Sequence, residues 1–351
     1  MEPTAPPSPR LDELAYYLLP GGATTSAVML DEVRAGERMG FGTAFISERL
    51  NVKEAAGLSG AAIAASTGMR IATGVTNINI RHPAVTAAFA STLHDLSGGR
   101  FVLGLGRGIP QMQKALGLSA VTTAHLEEFA RLMRRLWHGE VIVGYDGVLG
   151  SYPVLALDPR FSMDIPLLVT AFGPDTLAMA GRAFDEVMLH TYFTDETTAR
   201  CVATVRRAAE EAGRDPAAVK VWSCFATLGD HLPHDVLLKK SVGRMATYLQ
   251  AYGDLLVTTN RWDPAVLERF RADEYVSTVR GAIDQVATTG ELEHVATLIP
   301  EEWLAPSASG SPRQCAAAVR HQLDLGCDGV ILHGASPDQL APVVEAYRPT
   351  N

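Results

Sequence analysis

GVTNINIRHPAVTAAFASTLHDLSGGRFVLGLGRG, Gly74–Gly108, is the stretch that decides the fold. It reads as the end of a strand, a loop, a helix, a glycine stop and a second strand running into a glycine-rich turn. Gly98-Gly99 follows Leu96 and Ser97 as a helix C-cap does. Pro83 stands where an N1 proline belongs. The first strand ends in Gly74-Val75-Thr76-Asn77, an unusual set for a strand interior. Polar, backbone-permissive residues at the carboxyl end of a βα strand are where a barrel enzyme keeps its chemistry.

The same unit recurs on both sides of this segment. The pattern predicts strands over Leu14–Leu19, Thr43–Ser47, Arg70–Thr76, Phe101–Leu105, Pro166–Thr170, Glu186–Leu189, Lys220–Ala226 and Gly329–Leu332. Helices are expected over Ser26–Met39, Ser59–Thr67, Val85–Leu96, Thr123–His138, Pro174–Ala183, Asp195–Ala212 and Pro312–Leu325, with a closing helix from Pro337. Strands alternating with helices imply a parallel sheet. Eight such repeats favour closure into an α/β (β/α)8 TIM barrel. Two regions break the rhythm. Val141–Asp158 reads as a β-hairpin insertion with Asp146-Gly147 at its turn. Residues 231–311 read as a helical insertion before strand eight, a lid or an oligomer surface, and apolar positions in Val236–Val257 suit a homodimer face. The expected organisation is a disordered tail over residues 1–10 and one barrel domain over 11–351.

Composition bounds the function. The chain has 351 residues, 47% hydrophobic and 20% charged, with a net charge of −9. That balance supports a large core and argues against a nucleic-acid partner, which needs clustered Lys and Arg. Cys201, Cys224, Cys315 and Cys327 form no CxxC pair and no metal-ligand spacing with His, so no metal is expected and reduced thiols in the cytoplasm are. No apolar run approaches the ~20 residues needed to span a bilayer, so no membrane partner is expected. Gly104, Gly106 and Gly108 follow a strand, but Ile109-Pro110-Gln111 does not complete a dinucleotide fingerprint. These glycines are read instead as leaving room for a ligand. Gly173 with Pro174, Asp175 and Thr176 opens a helix whose first N–H groups suit a phosphate.

Gly74-Val75-Thr76-Asn77, Arg81-His82-Pro83 and Leu96-Ser97-Gly98-Gly99-Arg100-Phe101 with Leu103-Gly104-Leu105-Gly106 together resemble the bacterial luciferase-like superfamily. The segment looks most like its coenzyme F420-dependent branch, which includes methylenetetrahydromethanopterin reductases and F420-dependent dehydrogenases. Phe45-Ile46-Ser47-Glu48-Arg49 and Ala171-Phe172-Gly173-Pro174 extend the likeness. The resemblance implies a cytoplasmic oxidoreductase that moves a hydride between F420 and a small organic substrate. The alternatives are an FMN-dependent monooxygenase and a non-catalytic flavin-binding barrel.

The resemblance also implies roles. A non-prolyl cis peptide at Gly74-Val75 would back the cofactor ring. Thr76 and Asn77 would meet the ring edge, or serve as turn and cap. Glu48 would be the catalytic carboxylate beside the reacting carbon, where it would position or shuttle a proton, or else pair with Arg49 or Lys53. Gly106, Arg107, Phe172, Gly173, Pro174 and Thr176 would hold the cofactor. Arg81 would meet its anionic portion or bond its neighbours. Arg107 and Lys53 would be rim charges for an acidic tail. Arg49, Ile109, Met112, His190 and Tyr192 would line the substrate pocket. Ile109 and Met112 stand where the sugar-phosphate dehydrogenases of this branch carry polar residues, which points away from a sugar phosphate.

Overall fold

The computed structural model describes residues 8–21, 25–50, 52–160 and 162–349. In chain order the strands are β1 (Leu11–Tyr17), β2 (Phe41–Ile46), β3 (Arg70–Thr73), β4 (Thr76–Asn77), β5 (Phe101–Gly106), β6 (Ile142–Gly147), β7 (Gly150–Leu155), β8 (Leu167–Thr170), β9 (Glu186–Met188), β10 (Lys220–Gly229), β11 (Ala308–Gly310) and β12 (Gly329–His333). β1, β2, β3 with its continuation β4, β5, β8, β9, β10 and β12 run parallel in that order. Ala15 on β1 pairs with Thr43 on β2 and with Ile331 on β12, which closes the ring. All eight expected strands and the helices between them are present, displaced at their ends by a few residues.

Alternation of side chains along each strand fills the barrel. Ala15, Phe45, Ala72, Val102, Leu168 and Trp222 meet on the axis, with Tyr17 and Val75 on top of them. The alanines make room for Phe45 and Trp222, which stand edge to face at 5.5 Å. Trp222 is therefore core, and its indole N–H donates to Glu186 at 2.6 Å. A second, larger apolar layer lies between the strands and the outer helices.

The third barrel strand departs from an unbroken run. The Gly74-Val75 peptide is cis. β3 stops at Thr73 and the ladder resumes at Thr76 opposite Leu105. Gly74 still donates to the Ile46 carbonyl (2.7 Å), and Val75 accepts from the Glu48 amide (3.1 Å). The glycines of β5 make room for this bulge. A Cβ on Gly104 would lie 1.9 Å from the Thr73 carbonyl oxygen, and one on Gly106 would lie 2.5 Å from Val75 Cγ2.

The hairpin forms, with a turn different from the expected one. Asp146 and Gly147 are paired with Ser151 and Gly150, so Val148 and Leu149 make the turn. Gly150 supplies the positive φ of +112°. The insertion over 231–311 is helical, as expected, and is anchored by β11, a three-residue strand beside β10. Val242, Met245, Ala246, Leu249, Leu256 and Val257 are buried inside the chain, while Leu255 stays exposed and Val236, Leu237 and Leu238 are half-buried. Residues 1–7 of the expected tail lie outside the described residues.

Candidate active site at the barrel mouth

The strand ends meet above Tyr17 and Val75, which form the floor of a recess. Tyr17, Val75, Phe172, His190, Tyr248, Tyr252 and His333 keep part of their surface open although they lie deep under the insertion. Burial pushes the phenols of Tyr17, Tyr248 and Tyr252 above the ordinary value. It pulls His190 down to about 4. The recess is dry enough to disfavour charge.

On one side, Glu48 leaves the end of β2 with its side chain 3% exposed. Its carboxylate accepts from the Ala55 amide (3.0 Å), from the Thr76 hydroxyl (2.6 Å) and from both terminal nitrogens of Arg81. A carboxylate offers about four acceptor positions, and all are taken. Glu48 thus holds the loop after β4 through these bonds. Its partner is Arg81 rather than Arg49 or Lys53. Arg81 also reaches Glu54 and donates to Thr76 at 2.8 Å. Thr76 is buried with its hydroxyl used in both directions, so that side chain is unavailable to a ligand. Arg81 is likewise committed. His82 caps the helix Pro83–Leu96 and stands edge-on to Tyr152. Asn77 differs from these: it is half-buried at the rim and its amide bonds no other described side chain.

Across β5 and β8, Arg107 is half-buried and donates to Thr123 (2.9 Å) and Thr176 (2.7 Å). No described carboxylate pairs with it, and burial lowers its affinity for its own proton. Thr176 sits in the first turn of the helix Pro174–Ala183, which no side chain caps. A Cβ on Gly173 would meet nothing within 4 Å. An unpaired guanidinium, a hydroxyl and open amides at a helix start are the parts of an anion site. Phe172 turns from the same loop toward His190, with ring centres 4.6 Å apart.

The expected substrate residues are dispersed. His190 reaches the recess. Its Nδ1 faces the Thr191 carbonyl at 2.8 Å and must carry the proton, so Nε2 accepts from the Tyr252 hydroxyl at 2.9 Å. Tyr192 is instead an anchor, 1% exposed with φ +63°, donating to the Ser241 carbonyl at 3.3 Å. Ile109 and Arg49 are exposed at the rim. The side chain of Met112 lies outside the described residues. Lys53 is no rim charge, since it is 4% exposed and donates to the Leu19 carbonyl (3.0 Å) and Ser47 (3.1 Å).

Three residues were missed. Arg244, Tyr248 and Tyr252 follow one another at four-residue steps in the helix Arg244–Asn260 and cover the recess. That i, i+4, i+8 stripe of one cation and two aromatics is a helix face visible in the sequence. The helix breaks its dihedrals at Tyr252 (φ −158°, ψ 37°), which carries the phenol to His190.

The luciferase-like monooxygenase family model matches residues 19–329. The chain belongs to the luciferase-like monooxygenase family. Among relatives, it is 26% identical over 306 residues to a 5,10-methylenetetrahydromethanopterin reductase of Methanolobus tindarius, covering 85% of this chain and 87% of that one. It is 29% identical over 203 residues to a phthiodiolone/phenolphthiodiolone dimycocerosates ketoreductase of Mycobacterium tuberculosis, covering 56% of this chain and 53% of the relative. The fold is shared with the coenzyme F420 dependent tetrahydromethanopterin reductase of Methanopyrus kandleri, at a TM-score of 0.78, 20% identity and coverage of 95% and 97%. A long-chain alkane monooxygenase shares it at a TM-score of 0.67 and 14% identity, covering 95% of this chain and 89% of the other. Members of this luciferase-like group are enzymes, and this chain carries their barrel. No described helix is long and apolar enough to cross a membrane.

Proposed function

We propose that this luciferase-like barrel is an F420-dependent oxidoreductase acting on a small organic substrate. The observation that carries the reading is the anion site of Arg107, Thr176 and Gly173 beside the recess floored by Val75. F420 and FMN both bear a phosphate, and the open amides with an unpaired guanidinium fit one. The relative that spans most of both chains is a 5,10-methylenetetrahydromethanopterin reductase, and the similarly named solved structure, a coenzyme F420 dependent tetrahydromethanopterin reductase, supports this choice of cofactor.

When bound, the deazaflavin supplies two-electron hydride chemistry. The chain's own work is placement and exclusion of water. Arg107 and Thr176 would hold the phosphate. Glu48, Arg81 and Thr76 fix the strand end, so the backbone of Val75 and the amide of Asn77 would face the cofactor. The insertion covers the recess with Tyr248 and Tyr252. His190 stays neutral there, so it accepts from Tyr252 without adding charge.

Titration of the purified protein with F420 and with FMN, read by intrinsic tryptophan fluorescence, tests this. Trp222 lies directly below the recess and reports on it. Tight F420 binding, weakened at least tenfold in Arg107→Ala, is expected. Binding of FMN alone would move the chain to the monooxygenase side of its family.

A further inference from the structure

A second group of cations stands across the mouth from Arg107. In an eight-stranded ring β1 and β12 lie opposite β5 and β8, so the two groups face each other over the floor. Lys53, at the carboxyl ends of β1 and β2, donates to the Leu19 carbonyl and the Ser47 hydroxyl and hydrogen-bonds no described carboxylate. Lys240, in the insertion, donates to the Gln339 side-chain oxygen at 2.8 Å. Arg244 lies 3.1 Å from Asp284 with its side chain 11% exposed, and its guanidinium faces the Tyr248 ring at 6.0 Å. Arg49 comes from the loop after β2. His333, at the end of β12, stands edge-on to Tyr17 at 5.4 Å.

The charges do not balance. Asp284 is committed to Arg244 and to Thr247 (2.9 Å). Glu32 accepts from the Leu19 amide (2.7 Å) and lies near both lysines, so Asp284 and Glu32 are two carboxylates against the four cations Lys53, Lys240, Arg244 and Arg49. Burial, and then the neighbouring arginines, pull Lys53 and Lys240 down to about 8. Burial, with Arg244 and Arg49 beside it, keeps a proton off His333. Like charges gathered in a desolvated place cost stability unless a ligand anion completes them. Around them the walls are rings: Tyr248 stacks on Tyr252 at 5.5 Å, and His190 lies against both.

We infer that this side of the mouth binds the carboxylate of the substrate, with its apolar or aromatic body against Tyr248 and Tyr252. The inference rests on the proposed function in one respect: it gives the phosphate side to the cofactor and the lysine side to the substrate.

Benzoate is the probe, with benzamide as the uncharged control, read by calorimetric titration of the whole protein. Saturable benzoate binding is expected, with none for benzamide. Lys240→Gln, which keeps a donor for Gln339, should weaken benzoate at least tenfold. Arg107→Ala should leave benzoate binding intact while weakening F420 and FMN. Lys240→Gln should also melt no lower than the parent, because a cation held for a ligand does not support the empty fold. Benzoate binding that is absent, or unchanged in Lys240→Gln, overturns the inference, as does a lower melting point of that variant. Benzoate displaced by F420 or by FMN would assign the lysines to the cofactor and also overturn it. Failure of both cofactors to bind would sink the proposed function while the benzoate arms still read the second site.

Discussion

Replacing Glu48 by Gln tests the ion pair that organises the mouth. The carboxylate is 3% exposed and the Arg81 side chain 14%. An amide keeps the shape, but presents two hydrogens where Arg81 and Thr76 offer hydrogens of their own. Removing one partner of a buried pair costs ~3–5 kcal/mol. Glu54, 53% exposed, still compensates Arg81, so the low end, about 3 kcal/mol, applies. Unfolding entropy near 2.1 cal/mol/K per residue over 351 residues converts that to a fall of about 4 °C in melting temperature. Scanning calorimetry of Glu48→Gln, Arg81→Gln and the double variant reads it directly. The double variant should melt close to the worse single one, because the second change removes a charge that the first left unpaired. A Glu48→Gln protein that melts with the parent but loses one limb of its pH–rate profile would refute the reasoning. That result would give Glu48 the proton-transfer role that the resemblance implies.

Other outcomes follow from the same geometry. Gly104→Ala should fail to fold or lose several kcal/mol, since its Cβ would fall 1.9 Å from backbone, whereas Gly173→Ala should melt like the parent and bind F420 or FMN more weakly. Denaturant titrations and cofactor binding check the pair. His190 is depressed to about 4, so between pH 6.5 and 4 the unfolded chain binds a proton that the folded chain refuses. Stability should therefore fall on acidification through that window by roughly 3 kcal/mol at most. The stability difference between parent and His190→Gln, followed by urea unfolding from pH 7 to pH 4, should shrink accordingly. A difference that stays constant would mean His190 is solvated. Tyr252→Phe should cost about 1 kcal/mol through its lost hydrogen bond, visible in the same urea curves.

The barrel was legible because its signals are local. Alternating apolar strands, N1 prolines at Pro83 and Pro174 and the Gly98-Gly99 stop each act within a few residues. What the sequence hid depends on three-dimensional neighbours. Nothing near Gly104 or Gly106 announces that their missing Cβ atoms make room for Thr73 and Val75. Nor does the sequence show that Arg81, Thr76 and Ala55 gather on the Glu48 carboxylate. Tyr192 and Lys53 look exposed beside polar neighbours, yet both are buried. Their partners come from the distant insertion and from the loop after β1. The recess wall of Arg244, Tyr248 and Tyr252 was readable as a stripe, but only the closed ring shows that it faces His190. The three-residue β11 carried no periodicity to find.

A crystal structure of the protein soaked with F420 tests the central claim most directly. The account predicts the phosphate within hydrogen-bond distance of Arg107 and Thr176, with the ring lying over Val75 and under Tyr248 and Tyr252. A ring bound elsewhere, or a phosphate seated on the Lys53–Lys240 side, would contradict it.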